Sequence, residues 1–234
     1  MILSSRRDLE AVLGDYLALL KELDCWFARC STRFGSLIAC GAGCSACCRG
    51  LFDITLLDAW LLKTGFDRLP ADVRSAAEAK SRARLRELQA AWPDFQAPYL
   101  LNGLPDEEWT EMPEEDPTPC PLLVDGRCLV YSFRPMICRL HGLPNIDHSG
   151  EDFAGSWCTL NFRDTQPLEI AELRWSFRRT FERELQLFRK FSAHLTGTTL
   201  NEADTFIPTA LLIDFAAIDW AAVARNLSRS RSPG

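Results

Sequence analysis

From Arg7 to about Phe34 the residues Leu9, Val12, Leu13, Tyr16, Leu17, Leu20, Leu23 and Phe27 recur three and four positions apart, a period that predicts a long amphipathic helix with Ser5 as its N-cap. A shorter apolar stretch predicts a helix over about Thr55 to Lys63, ended by Gly65. Pro70 then opens a run of strong helix formers, "ADVRSAAEAKSRARLRELQAAW", and Pro93 stops it. Further on, Leu173, Phe177, Phe181, Leu185 and Phe188 mark the apolar stripe of a long helix from about Pro167 to His194, and a last helix is expected over about Thr209 to Asn226. β structure is expected in one place, the hairpin "LLVDGRCLVY", because Asp125-Gly126 between apolar runs is a strong turn signal. The prolines and acids of residues 93 to 119, with "PDEEWTEMPEEDP" among them, read as a solvated loop crossing between two halves of the fold. The tail "SRSRSPG" reads as a disordered end.

These elements make a mainly α protein in which helices flank a central, loop-dominated region, residues 38–160, with residues 161–234 supplying the C-terminal helices of a single domain spanning 1–234. At 234 residues and 47% hydrophobic content such a chain buries a sufficient core without disulfide staples. Its start, "MILSSRRDLEAVL", puts charged residues where a signal peptide needs an apolar run, which places the protein in the cytoplasm. No stretch approaches the roughly 18 apolar residues of a membrane span, so no membrane role is expected. The net charge of −6 argues against nucleic acid as a main partner, although 22 arginines against 4 lysines leave room for a local basic patch.

Ten cysteines change the picture, because in a reducing compartment they are not expected to form structural disulfides. Four of them, Cys40, Cys44, Cys47 and Cys48, fall within "CGAGCSACC"; Cys120, Cys128, Cys138 and Cys158 follow in a second segment. Cys44 and Cys47 have the two-residue gap at which one turn of loop aims both sulfurs at a single ion. Adjacent Cys47 and Cys48 point in different directions, so either a second site exists or one of them is a spare thiol. Arg127, Arg134 and Arg139 flank the later cysteines, where they either favour ionised thiolates or pair with the acidic loop. His141 stands at C-x-x-H spacing from Cys138, with a hydrogen-bonding or surface role the leading reading. Cys25 and Cys30, off a common helical face, read as core residues.

"CGAGCSACC" followed by "CPLLVDGRCLVYSFRPMICR" and the isolated Cys158 resembles the bacterial CxxCxxCC proteins, the YkgJ-type cysteine cluster family also described as a zinc- or iron-chelating domain. The first gap is three residues where that family's name implies two. The resemblance implies metal ligation by Cys40, Cys44, Cys47, Cys48, Cys120, Cys128, Cys138 and Cys158, with Tyr131, Arg134, Pro135 and Arg139 as framework around an iron–sulfur cluster or zinc. All-thiolate ligation suits either metal. Two further readings stay open: a zinc-stapled module whose surface binds a protein partner, and a redox or group-transfer enzyme by analogy with flagellin lysine N-methylases. Oligomeric state is not written in the sequence.

Overall fold

A computed structural model of the chain describes residues 2–41, 43–104, 116–153 and 157–230. Most of the acidic run lies outside these, as do the final residues of the tail. The protein is mainly helical, and α1 (Ile2–Arg33) is its backbone. That helix starts at Ile2, so Ser5 lies within it and is not its cap. Its inward face carries Tyr16, Leu19, Leu20, Leu23 and Trp26, all essentially inaccessible to solvent, while Leu17 and Phe27 of the expected stripe are half-buried at its edge.

β1 (Asp53–Thr55) leads directly into α2 (Leu56–Phe66). Thr55 caps α2 with its hydroxyl, which accepts from the Asp58 N–H at 3.1 Å. Gly65 does not end α2 but lies inside it, and the reason is steric: a Cβ there would sit 2.4 Å from the Phe133 ring. α3 (Ala71–Ala91) runs between Pro70 and Pro93 as the sequence predicts. β2 (Leu123–Val124) and β3 (Arg127–Cys128) form the expected antiparallel hairpin, with Asp125 and Gly126 both at positive φ. A five-residue helix, α4 (Met136–Leu140), carries Cys138.

The C-terminal third departs from its predicted outline. Short 3-10 turns occupy Pro167–Glu169 and Ala171–Leu173, and α5 (Phe177–Thr196) begins ten residues later than expected. The backbone at Trp175 is engaged elsewhere: its N–H donates to the Ile146 carbonyl at 3.0 Å and its carbonyl accepts from His148. Asp147 then supplies the helix start from outside, its carboxylate accepting the Arg178 N–H at 3.0 Å, and the hydrogen bonds it accepts from the Ser149 N–H, at 2.9 Å, and from Arg178 hold its pKa below the usual carboxylate value. On α5 the buried face comprises Phe177, Thr180, Leu187, Phe188 and Phe191; Phe181 is half-buried and Leu185 is exposed, so the expected stripe is off by a fraction of a turn.

β4 (Asp204–Phe206) pairs antiparallel with β1, Ile54 opposite Thr205, a two-stranded sheet between distant segments that the sequence reading did not include. The expected last helix is two: α6 (Ile207–Ala210) and α7 (Trp220–Ser230). Asp214 and Asp219 separate them, because each carboxylate accepts nearby backbone N–H groups, Asp214 from Ala216 and Ala217 and Asp219 from Ala222, in competition with continuous helix. One core unites α1, α2, α5 and α7, and a smaller cluster around Phe95, Leu101 and Phe206 lies under α3. No helix among the described residues is long and apolar enough to cross a membrane.

Candidate metal centre

The two cysteine segments meet through their backbones. Arg49 and Pro119 form an antiparallel bridge, the Cys120 N–H donates to the Cys48 carbonyl at 2.9 Å, and the Gly50 N–H donates to Thr118 at 2.9 Å. Gly50 and Gly43 sit at positive φ, a conformation glycine adopts without strain, so the first loop folds back on itself and reaches the second segment. From the other side, the hairpin pairs Cys128 with Leu123, whose N–H in turn donates to the Cys120 carbonyl. Cys138 enters on α4, whose first N–H, that of Met136, donates to the buried Asp58 carboxylate at 3.1 Å.

Electrostatics sorts the eight sulfurs. Cys40 interacts with Cys44, Cys47 and Cys158; Cys48 interacts with Cys120, Cys128 and Cys138. Cys47 and Cys48 act most strongly on each other, so the adjacent pair links the first loop's thiols with those of the second segment. Their hydrogen bond raises Cys47 far above an ordinary thiol and lowers Cys48. Burial, reinforced by the Cys120 and Cys128 thiols, drives Cys138 strongly upward, and burial also pushes Cys120 up to about 11. Cys128 is raised by burial against the opposing pull of the Val130 N–H and Arg134. Burial thus works to keep Cys120, Cys128 and Cys138 protonated, and at Cys48 the hydrogen bond from Cys47 outweighs it.

Around Cys40 the packing is specific. The buried Asn161 side chain donates to Cys40 Sγ at 3.2 Å and to the Gly142 carbonyl at 2.6 Å, and accepts from the Ala39 N–H at 2.8 Å. A Cβ on Gly142 would come within 3.1 Å of Cys40 Sγ, so this glycine, at φ +114°, makes the space the sulfur occupies. Neither Asn161 nor Gly142 stands out in the sequence, since both act on a sulfur more than a hundred residues away.

The framework arginines have distinct tasks. Arg139, 4% exposed, ion-pairs with Asp24 on α1 and donates to the carbonyls of Ser132 and Arg134 at 3.0 and 3.1 Å. Arg134 bonds the other Asp24 oxygen at 3.0 Å, lies 4.0 Å over the exposed Tyr131 ring, and acts electrostatically on Cys47, Cys128 and Cys138, lowering each. Arg127 is exposed on the hairpin. His141 packs edge-on against Phe52, ring centroids 5.9 Å apart, and burial holds its pKa below the ordinary imidazole value. Cys30 is a core residue, whereas Cys25, read from the sequence as core too, is exposed: five positions along a helix rotate it away from the buried face.

In kind and number the thiols suit zinc or an iron–sulfur cluster. Their spacing is open: among the described residues no three His, Cys, Asp or Glu side chains stand close enough together to hold a metal ion. Completing a ligand shell requires the sulfurs to draw closer together. Compared with known proteins, the chain matches no family model, no curated protein and no solved structure.

Proposed function

We propose that the protein binds metal through its eight clustered cysteines, as two neighbouring four-thiolate groups, one of Cys40, Cys44, Cys47 and Cys158 and the other of Cys48, Cys120, Cys128 and Cys138. The observation that carries this reading is that the two cysteine segments meet through their backbones, the Cys120 N–H donating to the Cys48 carbonyl at 2.9 Å beside the Arg49–Pro119 bridge. Four thiolates complete a tetrahedral zinc site or hold one iron–sulfur cluster, so the grouping accounts for a cysteine count that a single zinc ion leaves unexplained. A thiol gives up its proton when it ligates a metal, which makes binding tighter as pH rises. Arg134 lies where it offsets negative charge gathered on thiolates of both groups.

The test is elemental analysis with an absorption spectrum of protein purified without oxygen. The expected result is two zinc ions per chain, or iron with acid-labile sulfide and charge-transfer absorption. Cys40→Ser and Cys138→Ser each remove one group's share, and Cys25→Ser removes none. Folded protein that carries neither iron nor zinc, and takes up neither on reconstitution, refutes the reading.

A further inference from the structure

A cavity of about 470 Å³ opens between α1 and the segments around 148 and 171–175. Its volume falls within the range of small-molecule sites. Trp26 and Cys30, both buried, form part of its apolar lining; Trp26 is anchored by its indole N–H, which donates to the Leu173 carbonyl at 3.0 Å. Trp175 contributes a second indole, steadied by the Arg29 guanidinium 4.9 Å from its ring.

The charge of this lining is unusual for an acidic protein. Arg29, Arg33 and Arg174 converge on it, with Glu172 as the only acid among the lining residues. Several arginines elsewhere have acidic partners, Arg84 with Asp116, Arg134 and Arg139 with Asp24, Arg178 with Glu151 and Arg183 with Glu22, while others, Arg68 and Arg74 among them, bond a ring or a backbone carbonyl instead. Among the described residues none of the three cavity arginines has a side-chain hydrogen bond or ion pair. Two buried donors of lining residues, Arg174 Nε and Trp175 Nε1, also have no acceptor. Buried donors without partners cost free energy, and three guanidinium groups against one carboxylate leave an excess of positive charge; an anion with several acceptor oxygens relieves both.

We infer that this cavity binds a small organic anion, a planar ring carrying a phosphate or carboxylate, with the oxyanion among Arg29, Arg33 and Arg174 and the ring against the tryptophan-lined wall. Guanidinium groups suit either oxyanion through paired hydrogen bonds, and an indole wall suits a flat apolar body. The cavity uses none of the eight clustered cysteines, so the inference stands independently of metal binding.

Isothermal titration of the full-length protein with four probes tests it: adenosine 5′-monophosphate and indole-3-acetate as ring-bearing phosphate and carboxylate, adenosine as ring alone, and inorganic phosphate as anion alone. At least one ring-bearing anion is expected to bind with Kd below about 1 mM, roughly tenfold or more tighter than either partial probe, and the preferred oxyanion identifies the source. Arg29 and Arg33 are exposed positions on α1, so the double variant Arg29→Ala, Arg33→Ala keeps its helix and is expected to lose about tenfold or more in affinity at unchanged metal content. Arg33→Glu, a single reversal at the same exposed position, provides a second variant with the same expected direction. Absence of binding by both ring-bearing anions, equal binding by a partial probe, or unchanged affinity in folded arginine variants overturns the proposal.

Discussion

Replacing Glu184 with glutamine is expected to stabilise the protein in alkaline solution and to leave it nearly unchanged at about pH 4 and below. Glu184 projects from α5 to the fully buried Tyr16 hydroxyl, which lies 2.8 Å from Asp58 Oδ1 and 3.3 Å from Glu184 Oε1. One hydroxyl proton serves one carboxylate. Because burial holds Tyr16 neutral, both carboxyl groups are satisfied only when one of them is itself protonated and donates back to the phenol oxygen. Burial, then the charges of Asp58 and Asp204, push Glu184 from its ordinary 4.5 up to about 8, which makes it the proton carrier; burial raises Asp58 to about 6 against the opposing hydrogen bonds from Tyr16 and Met136.

The native chain therefore keeps a proton that the unfolded chain releases near pH 4.5, and its stability falls as pH rises from there to about 8, then levels off. At about 1.4 kcal/mol per pKa unit the ceiling on this loss is roughly 5 kcal/mol. Glu184 is half-buried and water reaches part of it, so about 2 kcal/mol is the realistic size. Glutamine donates to the same phenol oxygen at every pH. Urea denaturation of both proteins at about pH 4 and pH 8.5 measures the difference: nearly equal stabilities at about pH 4, below the range in which the unfolded glutamate ionises, and at pH 8.5 a glutamine variant more stable by about 2 kcal/mol, or about 4–8 °C in Tm for a chain of this size. A wild type whose stability does not fall between those pH values, or a variant with the same pH slope, would refute the shared-proton arrangement.

Asp24→Asn leaves the buried Arg139 guanidinium with carbonyl partners alone and is expected to cost about 2–3 kcal/mol, less than a fully buried pair because Asp24 is 38% exposed; chemical denaturation reads it. Gly65→Ala forces a methyl group into the Phe133 ring and should cost about 1–3 kcal/mol in the same measurement, whereas the double variant with Phe133→Leu recovers part of the loss. Thr55→Ala removes the α2 cap and is expected to lower stability by about 1 kcal/mol.

Elements with a strong local cause were legible in the sequence. The period of α1, the prolines around α3 and the Asp125-Gly126 turn each act within a few residues, and each element is present there, although α1 starts at Ile2, ahead of the expected Ser5 cap. Elements decided by distant partners were not. The β1–β4 sheet joins three-residue strands 151 positions apart at Ile54 and Thr205, too short for any period to show. α5 begins late because the backbone of residues 146–148 takes up Trp175, and Asp214 and Asp219 interrupt the final helix through their own short-range hydrogen bonds. The cysteines stood out by number and spacing, yet which sulfurs face one another depends on loop paths that spacing alone does not determine.

Two acids passed over in the sequence explain where the candidate centre sits. Asp58 interrupts the apolar run "LLDAWLL", and Asp24 lies beside the buried positions Leu23 and Trp26; a carboxylate in such a place persists only with partners, so its position is itself a signal. Those partners are remote. Asp58 is bonded to Tyr16, 42 positions before it, and to the Met136 N–H, 78 positions after it, while Asp24 holds Arg134 and Arg139, 110 and 115 positions away. Asp58 thus fastens the start of α4 to α2, and Asp24 fastens the arginines on either side of Cys138 to α1. The cysteine that closes the second thiol group is held by helices that contribute no clustered sulfur. Chemistry concentrated in residues 40 to 158 therefore depends for its placement on two carboxylates that no cysteine motif contains.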